Sequence, residues 1–74
     1  MISAIQARVS KALEESGQRP NRLRLGRETN LLLCRELSKL HGTKIIRLRT
    51  FYGMRVSVDR KINPNHLTVT WEEP

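Results

Sequence analysis

Apolar residues at Ile2, Ile5, Val9, Ala12 and Leu13 fall in steps of three, four, three and one, which lays a single stripe along an α-helix. Ser3 stands where an N-cap side chain would sit, and Gly17 is the expected C-terminal cap. The cluster Gln18-Arg19-Pro20-Asn21 ends the element. Arg22-Leu23-Arg24-Leu25 then alternates with period two, the mark of a short strand with one buried face, and Gly26 closes it.

A second helix is expected from about Arg27 to Leu40. Leu33, Leu37 and Leu40 stand at i, i+4 and i+7, with Leu32 and Cys34 widening the stripe. Glu28 complements the dipole at its start, and Lys39 with His41 at its end. Glu36 and Lys39 are spaced to pair across one turn, and His41-Gly42 is the stop.

Three extended segments follow. Thr43 to about Phe51 puts Ile46 and Leu48 on one face and Arg47 and Arg49 on the other. After a bend at Tyr52-Gly53, Met54, Val56 and Val58 alternate with Arg55, Ser57 and Asp59. A loop from Arg60 to Asn65 precedes His66–Glu72, in which Leu67, Val69 and Trp71 alternate with His66, Thr68 and Thr70. Strands of this length joined by short turns are expected to pair antiparallel as a meander.

The resulting expectation is an α+β fold, with two helices packed on one face of a small, three- to four-stranded antiparallel sheet. It forms one small domain over residues 1–74. The sheet's share of the core would be Leu23, Leu25, Ile46, Leu48, Met54, Val56, Val58, Leu67, Val69 and Trp71. The pattern leaves open whether Arg22–Leu25 joins an edge of that sheet or stays a loop.

Length sharpens this picture. A chain of 74 residues buries only about 60% of its unfolded surface, so its core leaves a net stability of roughly 3–5 kcal/mol. The single cysteine, Cys34, cannot form an internal disulfide, which makes a reducing, cytoplasmic setting the default. The longest apolar run, Leu31 to Cys34, is far short of the ~20 residues a membrane helix needs. No basic patch followed by an apolar stretch marks a secretory signal, and Glu14 and Glu15 argue against a mitochondrial presequence.

Candidate chemistry is sparse. One Cys and two His, His41 and His66, are too few for a metal site. Cys34 lies beside a leucine stripe, as a small buried hydrophobe would. The Glu pairs sit at helix ends and the C-terminus rather than facing across a cleft, and no glycine-rich loop is present to cradle phosphate. The expectation is a protein that is not an enzyme, with no cofactor, no metal and no small-molecule substrate.

The feature above background is positive charge. The chain carries fourteen Lys and Arg against seven Asp and Glu, a net +7, and ten of the fourteen are Arg. Residues 21–49 hold eight basic side chains against Glu28 and Glu36, so six of the seven excess charges lie there. Arginine favours bidentate contact with phosphate or carboxylate. Alternation makes Arg22, Arg24, Arg47 and Arg49 the candidate binding residues, and Phe51 shares the parity of Arg47 and Arg49 as a candidate stacking ring. The partner is then nucleic acid, held by phosphate contacts and a stacked base, or an acidic protein surface. A sheet edge would also suit a homodimer or an added partner strand. The plain alternative is a solvated face that keeps the sheet from aggregating.

From Tyr52 the chain reads Tyr-Gly-Met-Arg-Val-Ser-Val-Asp, then Asn63-Pro64-Asn65-His66-Leu67-Thr68-Val69. This hairpin ending resembles that of small phage- and prophage-encoded proteins of undetermined function. The resemblance implies a short accessory protein of a bacterium or its phage that acts by binding. It assigns no site residue.

Overall fold

The computed structural model describes residues 1–73. Six elements follow in order: α1 (Ile2–Ser16), β1 (Arg22–Leu25), α2 (Arg27–His41), β2 (Thr50–Phe51), β3 (Met54–Val58) and β4 (Leu67–Thr70). The fold is α+β, with both helices on one face of a four-stranded sheet.

The helices end where glycine permits a left-handed backbone. Gly17 (φ 72°) donates its N–H to Leu13 O at 2.8 Å, and Gly42 (φ 65°) closes α2. The start of α1 differs from expectation. Met1, not Ser3, holds the cap position, with no side-chain cap bond. Glu36 also takes another partner than Lys39: its carboxylate meets the Met1 ammonium at 3.0 Å and accepts the Ile2 N–H at 3.2 Å, tying α1 to α2.

The strand order is β2-β3-β1-β4. The expected meander is therefore corrected: β3 and β4 do not pair, because β1 lies between them, parallel to β3 and antiparallel to β4. The reason is burial. Leu23 and Leu25 are both 0% exposed, which a central strand achieves and an edge strand does not. A parallel pair needs a long crossover, and α2 with the segment after it supplies one between β1 and β3. The sheet is thus mixed, with one parallel pair among otherwise antiparallel neighbours.

Register places Leu23 beside Val56 and Val69, and Leu25 beside Val58 and Leu67, all toward the helices. Ile5 and Val9 of α1, Leu33 and Leu37 of α2, and Met54 complete one buried cluster. Each such side chain contributes about 1.5–3 kcal/mol by leaving water. Leu48, Val56, Leu67 and Val69 pack half-buried against the cluster. Three expected core residues do not: Ile46, Val58 and Trp71 are exposed, as is Leu40 at the end of α2.

The largest departure is the stretch from Thr43 to Phe51, where only Thr50 and Phe51 form a strand. Local bonds capture the rest. Ser38 Oγ, itself bonded to Cys34 O at 2.7 Å, accepts the Ile45 N–H at 2.8 Å. That bond binds the chain to α2 instead of the sheet and points it away from β3. β2 and β3 join through Tyr52-Gly53, both at positive φ (52° and 77°), as a two-residue hairpin turn of the primed type requires.

Candidate functional site

The open face of the sheet carries Arg22, Arg24, Arg55, Ser57, Thr68 and Thr70, matched in register across β1, β3 and β4. Arg22 and Arg24 stand there as alternation predicts, but carboxylates claim both. Arg22 Nε lies 3.3 Å from Glu72, whose backbone is held in turn by the Asn21 side chain at 2.7 and 2.9 Å. Arg24 Nη2 meets Asp59 Oδ2 at 2.5 Å. The Lys61 N–H, donated to Asp59 Oδ1 at 2.9 Å, holds the Asp59 carboxyl below the usual aspartate range, and Arg24 adds to the effect. A depression of about 580 Å³ on this face includes both arginines with Arg60, Lys61, Asp59 and Glu72.

Arg47 and Arg49 do not share this face. Val56 donates its N–H to Arg49 O at 2.9 Å, extending the β2–β3 register of Thr50 with Arg55 and Phe51 with Met54 by one pair. Directly opposed residues of an antiparallel pair project to the same side. Arg49 therefore takes the side of Val56 and Met54, opposite to Arg22, Arg24 and Arg55. The expectation of four arginines on one strand face is corrected, because residues 44–48 leave the sheet.

What that departure leaves is a cleft of about 770 Å³ between residues 46–49 and β3. Arg47, Arg49, Arg55 and Arg60 line it, with Asn30 of α2, Ser57, and the apolar Ile46, Leu48, Val56 and Val58. No carboxylate lines it, and among the described residues none of its four arginines takes part in an ion pair. Arg55 also stands beside Arg22 in the β1–β3 register, a like-charge neighbour that costs stability rather than adding it. Arg55 and Arg60 are the members missed in the sequence. Alternation along Met54–Val58 already faces Arg55 away from the core, but only the β1–β3 pairing shows which neighbours it has.

Phe51 shares the side of Arg49, as its parity predicts, and lies on the side opposite to Arg22 and Arg24. It sits opposite Met54 and packs half-buried against the core. The turn forces this, since Tyr52-Gly53 fixes Phe51 and Met54 as partners with side chains on one side. Tyr52 is engaged as well: the Arg19 guanidinium lies 4.6 Å from its ring centre, and Arg19 Nη2 donates to Tyr52 O at 3.2 Å. Trp71 follows β4, beside Glu72.

Other reactive groups are placed structurally. Cys34 is 4% exposed on the inner side of α2, and burial pushes its thiol pKa up. Among the described residues, no three His, Cys, Asp or Glu gather as metal ligands, and no helix is long and apolar enough to cross a membrane. No family model, curated protein or solved structure matches this chain significantly.

Proposed function

We propose that this protein is a small, basic, non-enzymatic binding module whose arginine cleft takes an acidic segment of a partner protein. The observation that carries this reading is the lining of the cleft: among the described residues, four arginines without an ion-pair partner, no carboxylate, and an apolar floor of Leu48, Val56 and Val58. Carboxylate side chains suit the guanidinium forks, and apolar side chains between them would cover the floor. In the setting implied by the resemblance of residues 52–69, the module is an accessory protein of a bacterium or phage.

Nucleic acid is the second reading. It is favoured by the net charge of +7 and by Ser57, Thr68 and Thr70, neutral phosphate donors beside Arg22 and Arg24 on the open face. Two placements count against it. Arg22 and Arg24 are already neutralised, and Phe51 faces the core rather than a base. A phosphate backbone would also leave the apolar floor uncovered.

One titration separates the two. A fluorescent Glu- and Val-containing peptide and DNA and RNA oligonucleotides of similar charge are compared at about 50 and 200 mM salt. Four phosphate contacts alone would weaken by roughly a hundredfold over that range. The acidic peptide is expected to bind more tightly than the oligonucleotides at the higher salt, because apolar contact is not screened. Tighter oligonucleotide binding at both salts would move the assignment to nucleic acid.

A further inference from the structure

We infer that the acidic segment enters the cleft as an added β-strand, paired with the edge of β3 that β2 leaves open; this rests on the cleft being the docking site. The direction of the backbone bonds along β3 carries the argument. Arg55 donates its N–H to Asn21 O at 2.9 Å and Asp59 to Leu25 O at 3.0 Å, so the odd-numbered residues face β1. Val56 donates to Arg49 O at 2.9 Å, so the even-numbered residues face β2. The next even residue is Val58. Its N–H and C=O point where a residue at position 47 would stand in a regular hairpin, but the chain there has left the sheet for α2. Among the described residues, no backbone bond joins residues 44–48 to β3.

The edge of β3 therefore ends in an unpaired donor and acceptor opening onto the cleft, with Val58 itself 41% exposed. A strand laid along it would complete the ladder. Its alternate side chains would meet Val56 and Val58 on one side and the Arg55–Ser57 side on the other. The surplus of guanidinium groups selects an acidic strand over a neutral or basic one. The opposite edge of the sheet is less suited: Arg8 of α1 already donates to Leu67 O of β4 at 3.1 Å, occupying an acceptor there.

The test uses the full chain and a soluble peptide of alternating Glu and Val, with a version N-methylated at alternate positions on the pairing edge. N-methylation keeps charge and apolar content and removes the main-chain donors. The expected result is that the unmodified peptide protects the Val58 amide from hydrogen exchange, and that N-methylation weakens binding by about tenfold or more. If both peptides bind equally, or the Val58 amide exchanges as before with peptide bound, strand addition is overturned while the acidic-partner reading stands. If neither peptide binds and an oligonucleotide does, both are overturned.

Discussion

The carbonyl oxygen of Pro64 caps α2 through Thr29, accepting its backbone N–H at 3.1 Å and its hydroxyl at 3.1 Å. The same oxygen accepts the Glu28 N–H at 2.9 Å. The helix start, which lacks a side-chain cap of its own, is thus satisfied by a loop that lies far along the chain. The loop approaches so closely that a Cβ on Gly26 would fall on the carbonyl oxygens of Asn63 and Pro64. Both are backbone atoms and cannot swing aside.

Gly26→Ala should therefore be the most damaging single-methyl change at this end of the fold. A cost of about 2–3 kcal/mol is expected from overpacking and loss of the cap, most of the roughly 3–5 kcal/mol a chain this small holds. Thr29→Val, which removes only the hydroxyl of a buried side chain, should cost about 1 kcal/mol. Urea unfolding followed by circular dichroism measures both. Equal midpoints for Gly26→Ala and the parent chain would contradict the close approach.

The carboxylates give a pH dependence whose sign is set by their environment. Asp59 and Glu36 are both held below their ordinary values, Asp59 by the Lys61 N–H and Arg24, Glu36 by the Met1 ammonium and the Ile2 N–H. A depressed carboxylate contributes stability that is fully present above its unfolded value, near 3.8 for Asp59 and 4.5 for Glu36. That contribution is lost as pH falls through the lower folded value. Stability should hold constant near neutrality and decline on acidification below about 4.5. Asp59→Asn should shallow the decline, which acid titration of the thermal midpoint would reveal. An unchanged acid limb would remove Asp59 from the account.

Cys34 offers a probe of the core. With its thiol buried and its pKa raised, labelling by a thiol reagent at neutral pH should be slower than in urea by about tenfold or more, and should follow unfolding. Labelling at the unfolded rate in native buffer would mean that the inner face of α2 is open.

Most of the elements could be read from periodicity, because each has a local cause. The helix that the leucine spacing of α2 predicts, with Leu33, Cys34 and Leu37 buried but Leu32 and Leu40 exposed, the glycines ending both helices, and the strands at Arg22–Leu25 and Met54–Val58 all appear in the structure. The failures are relations between distant residues. Alternation over Thr43–Phe51 is real, yet Ser38 captures the Ile45 N–H and Ile46 ends 76% exposed. A pattern of two cannot show that a helix hydroxyl competes for the backbone. The pairing of β1 with β3 was hidden for a similar reason, since pairing partners leave no mark on local alternation. The candidate site is the least legible: alternation puts Arg22 and Arg24 on the correct side, but their neutralising partners Glu72 and Asp59 lie 50 and 35 positions away.

On the proposed function, binding belongs to the arginines of the cleft and not to positive charge in general. The most direct measurement compares two double variants with the same change in net charge, Arg47→Gln with Arg49→Gln and Arg22→Gln with Arg24→Gln, in binding the acidic peptide by fluorescence anisotropy. Circular dichroism checks that each variant stays folded. A loss of about tenfold or more is expected for the first pair and little change for the second, whose guanidinium groups are already matched by carboxylates. Equal losses in the two pairs would contradict the proposed function.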